Sequence, residues 1–228
     1  VVRTATTGFN RFRNVDGKTF KEMTKELGVD PESIIAALWL DYDNDGNLDL
    51  LCASFPKVRL YRNPGKGGRF LDVTVSAGLD YAFPGPPEAL AVCDYDGDGY
   101  VDLFVGCFEH PDPRRGPVGQ PNFLFYNNGT GRFVDVTRPA GMAAGPNYCT
   151  RSATWGDFNN DGRPDLYVAN YRLHPNQLWV NHGNGKFLDE AEALGVRGTP
   201  GTGQYAQAFG HSVAATWGDV DNDGHLDL

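Results

Sequence analysis

At 228 residues, 40% hydrophobic and 21% charged, the chain can bury a substantial core and is too apolar for disorder. Its 29 glycines and 15 prolines suit many strands joined by turns better than long helices. A formal net charge of −9 argues against nucleic acid and anionic membranes as partners, and no apolar run approaches the ~18 residues of a membrane-crossing helix.

In chain order, the start Val1-Val-Arg-Thr-Ala-Thr6 has neither an initiator Met nor a signal-peptide pattern. It reads as a processed N-terminus or the edge of an excerpt. The first predicted element is a hairpin over Phe12–Phe20 that closes at Leu27-Gly28-Val29. A short apolar strand, Ala36–Trp39, leads into an acidic loop, Asp41-Tyr-Asp-Asn-Asp-Gly-Asn-Leu-Asp-Leu50, and a second strand, Leu50–Ser54, leaves it. A hairpin over Leu60–Thr74 follows, with Asn63-Pro-Gly at its turn, and ends at Ala77-Gly78-Leu79.

The same order then recurs. Strand Ala89–Val92, loop 94–103 (Asp-Tyr-Asp-Gly-Asp-Gly-Tyr-Val-Asp-Leu), strand Leu103–Cys107 and hairpin Phe123–Thr137 make one copy. Strand Ser152–Trp155, loop 157–166 (Asp-Phe-Asn-Asn-Asp-Gly-Arg-Pro-Asp-Leu), strand Leu166–Ala169 and hairpin Gln177–Asp189 make the next. Strand Val213–Trp217 and loop 219–228 (Asp-Val-Asp-Asn-Asp-Gly-His-Leu-Asp-Leu) open a further one. The loops begin at 41, 94, 157 and 219, so the spacings are 53, 63 and 62. Four short antiparallel strands per period, with the acidic loop joining two of them, predict an all-β fold: a β-propeller of four-stranded blades.

Each loop sets side-chain oxygens at positions 1, 3, 5 and 9 with Gly at position 6: Asp41, Asp43, Asp45, Asp49; Asp94, Asp96, Asp98, Asp102; Asp157, Asn159, Asp161, Asp165; and Asp219, Asp221, Asp223, Asp227. Hard oxygens at alternating positions about a glycine bend are what Ca²⁺ needs to collect six to eight ligands, and all-protein oxygen cages suit it better than Mg²⁺. Fifteen of the 29 acidic residues sit in these loops, so the acidity reads as metal chemistry, and four divalent ions would bring the chain close to neutral. Asp-Gly turn chemistry explains one Asp and the Gly but not four oxygens at fixed positions in four copies. An EF-hand would need a bidentate Glu at position 12, where Cys52, Val105 or Val168 stands.

The loop, the Trp-Gly-Asp before it (155–157, 217–219) and the Leu-Tyr-x-Asn…Gly-x-Phe-x-Asp-Val-Thr hairpin resemble FG-GAP/VCBS repeats, those of the propellers of integrin α-subunits and of the ASPIC/UnbV group. The resemblance implies calcium at the blade hairpins, held by positions 1, 3, 5 and 9 and by the backbone carbonyl of position 7, here Asn47, Tyr100, Arg163 and His225. Asn159 and Pro164 depart from the pattern. With three carboxylates, the third loop is expected to bind most weakly. The adhesive role of integrins rests on other domains and is not carried over.

Trp39, Trp155 and Trp217 hold one place, two residues before their loops, with Val92 in the second repeat; they are expected between blades, and Trp179 in the core. Cys52, Cys93, Cys107 and Cys149 allow three full pairings, and buried thiols are an equal reading. Gly210-His-Ser212 merges into a strand and lacks the context of a nucleophile elbow, and His110, His174, His182, His211 and His225 form no zinc motif. The sequon at Asn128 lies in a shared hairpin turn. Insertions 109–122 and 197–210 read as solvated decoration, with partner binding the sharper alternative. The chain stops inside a motif, which predicts either a four-bladed ring sealed at its ends or, preferably, a piece of a larger propeller.

The expectation is a calcium-stabilised extracellular or cell-surface module (a periplasmic one fits the same chemistry) with a protein or glycan ligand, up to four Ca²⁺ and no catalysis. Incomplete edge blades suggest self-assembly into an oligomer or fibre. A polysaccharide lyase would need Lys, Arg, Tyr or His converging on one face, and the linear order shows no such cluster.

Overall fold

Segments such as Leu50–Ser54 and Leu103–Cys107 are apolar at almost every position, the pattern of a strand covered on both faces. A computed structural model describes residues 2–4, 8–10, 12–29, 34–116, 118–202 and 208–228. Among these, sixteen strands and one 3-10 turn (Pro113–Arg115) are present, and no α-helix. β1 (Val2–Thr4) pairs with β2 (Gly8–Asn10), and β3 (Phe12–Asn14) with β4 (Phe20–Glu22). Three four-stranded antiparallel meanders follow. Blade 1 is β5 (Ala36–Leu40), β6 (Asp49–Ser54), β7 (Lys57–Arg62) and β8 (Leu71–Asp72). Blade 2 is β9 (Pro87–Cys93), β10 (Asp102–Cys107), β11 (Phe123–Asn127) and β12 (Phe133–Asp135). Blade 3 is β13 (Cys149–Gly156), β14 (Asp165–Tyr171), β15 (Gln177–Asn181) and β16 (Phe187–Asp189).

One expected strand is absent. Val213–Trp217 has no ladder partner, and the fourth copy shows only the isolated bridge of Gly218 with Asp227. A strand exists by pairing its backbone groups, and in the other copies the equivalent strand pairs with the one that leaves the loop. Among the described residues no pairing joins the two ends of the chain.

The blades stack face to face through alternate side chains. In β6, Leu51 and Ala53 turn toward blade 2 and pack with Leu103, Val105 and Phe125, while Leu50 and Cys52 turn the other way toward Val29 and Ile34. Blade 2 repeats this with Phe104 and Leu124 against Leu166, Val168 and Trp179 of blade 3. Each fully buried Leu or Phe contributes about 1.5–3 kcal/mol, so the interfaces between blades are the core. Inner strands β5, β9 and β13 are neighbours.

Two motif elements gain a physical reason. In Asp-Val-Thr, the Asp72 and Asp135 carboxylates accept from Thr74 and Thr137, whose hydroxyls accept the N–H of Leu60 and Leu124. The Phe opening the outer strand donates its N–H to the residue before the Gly that closes the previous copy: Phe70 to Leu27 at 2.8 Å, Phe133 to Ala77 at 2.9 Å and Phe187 to Ala140 at 2.9 Å.

All four cysteines are free thiols; Cys52, Cys107 and Cys149 are buried. The 109–122 insertion is solvated at Pro111, Arg114, Arg115 and Val118, as expected, but docked at its far end. Gln120 is buried, and Asn122 accepts from Cys107 N–H and donates to Thr150 of the next blade. Of the second insertion, residues 203–207 lie outside the described residues.

Candidate metal centres

The first three acidic loops join the two inner strands of a blade, β5 to β6, β9 to β10 and β13 to β14, so they sit at the same end of consecutive blades, and the fourth is closed by the bridge of Gly218 with Asp227. The first Asp folds the loop onto itself. The Asp41 carboxylate accepts the N–H of Asp45 and Gly46, Asp94 those of Gly97, Asp98 and Gly99, Asp157 those of Asp161 and Gly162, and Asp219 those of Asp223 and Gly224. Position 6 has φ of 83°, 91°, 81° and 88° in the four loops, a left-handed conformation in which a Cβ is strained. Position 5 accepts the N–H of position 7, and the side chains of Asp96, Asn159 and Asp221 at position 3 accept that of position 5.

Position 9 is the first residue of the next strand, and Asp49, Asp102 and Asp165 are fully buried there. One oxygen of Asp49 accepts from Tyr42 N–H and the other from Asn63 N–H, at 3.1 and 2.7 Å. Asp102 does the same with Tyr95 and Asn127 at 3.2 and 2.8 Å, and Asp165 accepts from Asn181 at 2.7 Å. Burial outweighs these bonds and pushes the carboxyls up to about 6, 7 and 6. Asp227 is exposed.

Ligand atoms of Asp41, Asp43 and Asp45, of Asp94, Asp96 and Asp102, and of Asp219, Asp221 and Asp227 lie within 4.8 Å of one another in each group. Oxygens on one calcium ion, each about 2.3–2.6 Å from it, are no more than about 5 Å apart. Asp43 Oδ1 is buried and accepts no hydrogen bond, a vacancy in the network that a cation would fill. The donor set and this orphan oxygen fit a hard divalent ion. The third loop assembles fewer carboxylates because position 3 is Asn159.

Side chains at position 7 have separate roles. Asn47 Nδ2 donates to Asp45, the Tyr100 ring lies against Gly129, Arg163 Nε donates to Asn181 O while its guanidinium pairs with Asp161, and the His225 ring is 3.2 Å from Asn160 Nδ2. Trp155 lies between blades as expected, stacked on Tyr95 of loop 2, while Trp217 stacks on Phe158 of loop 3 and Trp39 meets Phe70 edge-on.

At the opposite ends of the inner strands is a cluster invisible in linear order. Arg151 occupies a β-bulge between Thr150 and Ser152, which aims it over Phe108 at 4.6 Å and into an ion pair with Glu88. Arg172 bonds both oxygens of Glu109, at 2.9 and 3.0 Å, and the His211 ring lies 4.3 Å from that of Tyr171. Both guanidiniums are neutralised by carboxylates of blade 2, so the cluster clasps blades 2 and 3 together. The only sequence signal was an Arg at the start of one inner strand.

A model of the FG-GAP-like repeat matches residues 41–105, 115–168 and 157–228. Cartilage acidic protein 1 of Mus musculus is 39% identical over 74 residues, 31% of this chain and 11% of that protein. Integrin alpha-7 of Rattus norvegicus is 28% identical over 152 residues, 61% of this chain and 12% of that protein. The chain thus spans roughly a tenth of the length of these relatives. A solved structure of a Bacillus licheniformis rhamnogalacturonan lyase aligns over 85% of this chain and 39% of its own, with a TM-score of 0.45 and 17% identity.

Proposed function

As a member of the FG-GAP-like repeat family, the chain is, we propose, a calcium-stabilised segment of a β-propeller that serves as an extracellular interaction module and not as an enzyme. The observation that carries this reading is the convergence of carboxylates in loops repeated at one end of successive blades. When bound, each ion supplies charge neutralisation and pins the turn. Asp41, Asp43, Asp45 and Asp49 would hold it in loop 1, with the carbonyl of Asn47. Asp94, Asp96, Asp98, Asp102 and the Tyr100 carbonyl would serve loop 2. Asp157, Asn159, Asp161, Asp165 and the Arg163 carbonyl would serve loop 3; Asp219, Asp221, Asp223, Asp227 and the His225 carbonyl would serve loop 4. Integrin relatives suggest a protein ligand and an extracellular or cell-surface setting, where calcium is plentiful. Among the described residues no helix is long and apolar enough to cross a membrane.

Calorimetric titration with CaCl₂ tests the reading. Up to four ions bind, and the thermal midpoint rises with free calcium, because an ion that binds only the folded state stabilises it by mass action. No heat of binding and identical melting in calcium and in chelator would overturn it.

A second interaction mode is favoured by hairpin β3–β4, whose Phe12, Val15 and Phe20 are exposed. These side chains suit self-association. Light scattering across a concentration series, with calcium and with chelator, checks it; a monomer throughout excludes it.

A further inference from the structure

Loops 1 and 2 occupy equivalent places in complete blades, yet they differ in one charge. The residue just before the Asn whose N–H caps position 9 is Arg62 in blade 1, Tyr126 in blade 2 and Val180 in blade 3. Arg62 Nε donates to Asp43 Oδ2 at 2.6 Å and Nη2 to Asp45 Oδ2 at 2.7 Å. The guanidinium thus spans positions 3 and 5, two of the groups that would hold an ion. Tyr126 reaches the same position 5 in loop 2, but only with a neutral phenol, 2.9 Å from Asp98 Oδ2. Loop 3 has its own cation, Arg163, on Asp161.

A Ca²⁺ ion that enters loop 1 through the free Oδ1 of Asp43 meets two carboxylates already engaged in charge-assisted bonds, the strong kind, and a like charge a few ångströms away. Entry to loop 2 requires only one neutral hydrogen bond to be given up. The Arg62 side chain is 35% exposed, so its stem can swing to solvent without breaking the core. Building on the calcium reading above, we propose that Arg62 is a resident counter-cation that competes with the divalent ion for Asp43 and Asp45, so that loop 1 is a weak, exchangeable site that fills after loop 2. Low calcium leaves Asp43 and Asp45 partly neutralised from within. High calcium expels the guanidinium to the surface, which links ion occupancy to a change of surface charge beside blade 1.

The test is an exchange of the two residues, read by calcium calorimetry and by melting of the whole chain. Arg62→Tyr should tighten one weak step about two- to fivefold, the scale of one lost competing ion pair. It should lower the midpoint in chelator, where the aspartates lose their partner, but not in millimolar calcium. Tyr126→Arg should weaken one tight step, and Arg62→Lys should keep the wild-type order. Wild type that binds calcium, with stepwise affinities unchanged in both exchanges, overturns the proposal alone. If neither wild type nor Arg62→Tyr binds calcium, the calcium reading falls and takes this one with it. Should Arg62→Tyr fail to fold even with calcium, Tyr126→Arg decides the matter by itself.

Discussion

The Asn127 side chain donates from Nδ2 to the carbonyl of Tyr42, 85 residues earlier, at 2.8 Å and in a buried position. Asn181 does the same to Tyr95 at 2.9 Å. The Asn at the end of each third strand therefore bolts its blade to position 2 of the preceding acidic loop, while its N–H holds position 9 of its own. Asn63, the equivalent in blade 1, donates instead to Leu48 of its own loop. Asn127→Ala is expected to cost about 1–3 kcal/mol by leaving buried partners unpaired, and more than Asn63→Ala. Urea unfolding of the two variants checks this; equal losses would show that the link between blades contributes nothing.

Asp98→Ala removes a candidate ligand and the acceptor of Tyr100 N–H and Tyr126 OH. With calcium present the midpoint should fall by several degrees, about 1–3 kcal/mol, and in chelator by about 1 kcal/mol or less. Calorimetric melting under both conditions decides; an equal loss in chelator would assign the residue to the fold alone.

Asp102 gives a pH dependence. Burial raises its carboxyl from 3.8 in the unfolded chain to about 7 in the folded one, so between those values the folded state holds the extra proton. Stability from this residue is intact below about pH 4 and declines as pH rises through 7, by at most about 4 kcal/mol. An ion that neutralises the carboxylate should abolish the decline. Carboxyl NMR titration and melting from pH 4 to 8, with and without calcium, measure both; an Asp102 titration midpoint below 5 in chelator contradicts the prediction.

Arg151→Met leaves Glu88, whose side chain is only 16% exposed, without its cation. The single variant should lose about 1–3 kcal/mol, and the Glu88→Gln/Arg151→Met pair should recover part of it. A double-mutant cycle by denaturant unfolding gives the coupling; additive losses would mean that the clasp is not an interaction.

Gly106→Ala would put a Cβ 2.5 Å from Thr150 Cγ2 of blade 3 and 2.8 Å from Ala89 Cβ. Overpacking at this seam should cost about 1–3 kcal/mol, read as a lower urea midpoint; an unchanged midpoint would show that blades 2 and 3 can part slightly without loss.

Much of this arrangement was legible in the chain because it is repeated. The acidic loops, the Phe-opened hairpins and the closing glycines recur in register, and a pattern that recurs is not explained by one local turn. The Val213–Trp217 strand misled because its local pattern is intact while no ladder partner lies against it among the described residues. The docking of Gln120 and Asn122 was hidden for a related reason: an irregular Pro-rich segment carries no period to show which backbone groups it satisfies.

By itself the sequence determined the period, the all-β blades and which oxygens gather in each loop, since these follow from short-range alternation and turn chemistry. Only the tertiary structure decided that position 9 is buried, that Arg62 rather than solvent faces Asp43 and Asp45, and that Arg151 and Glu88 meet. Those relations join residues far apart in the chain, and they exist because blades must stack to bury both faces of every sheet.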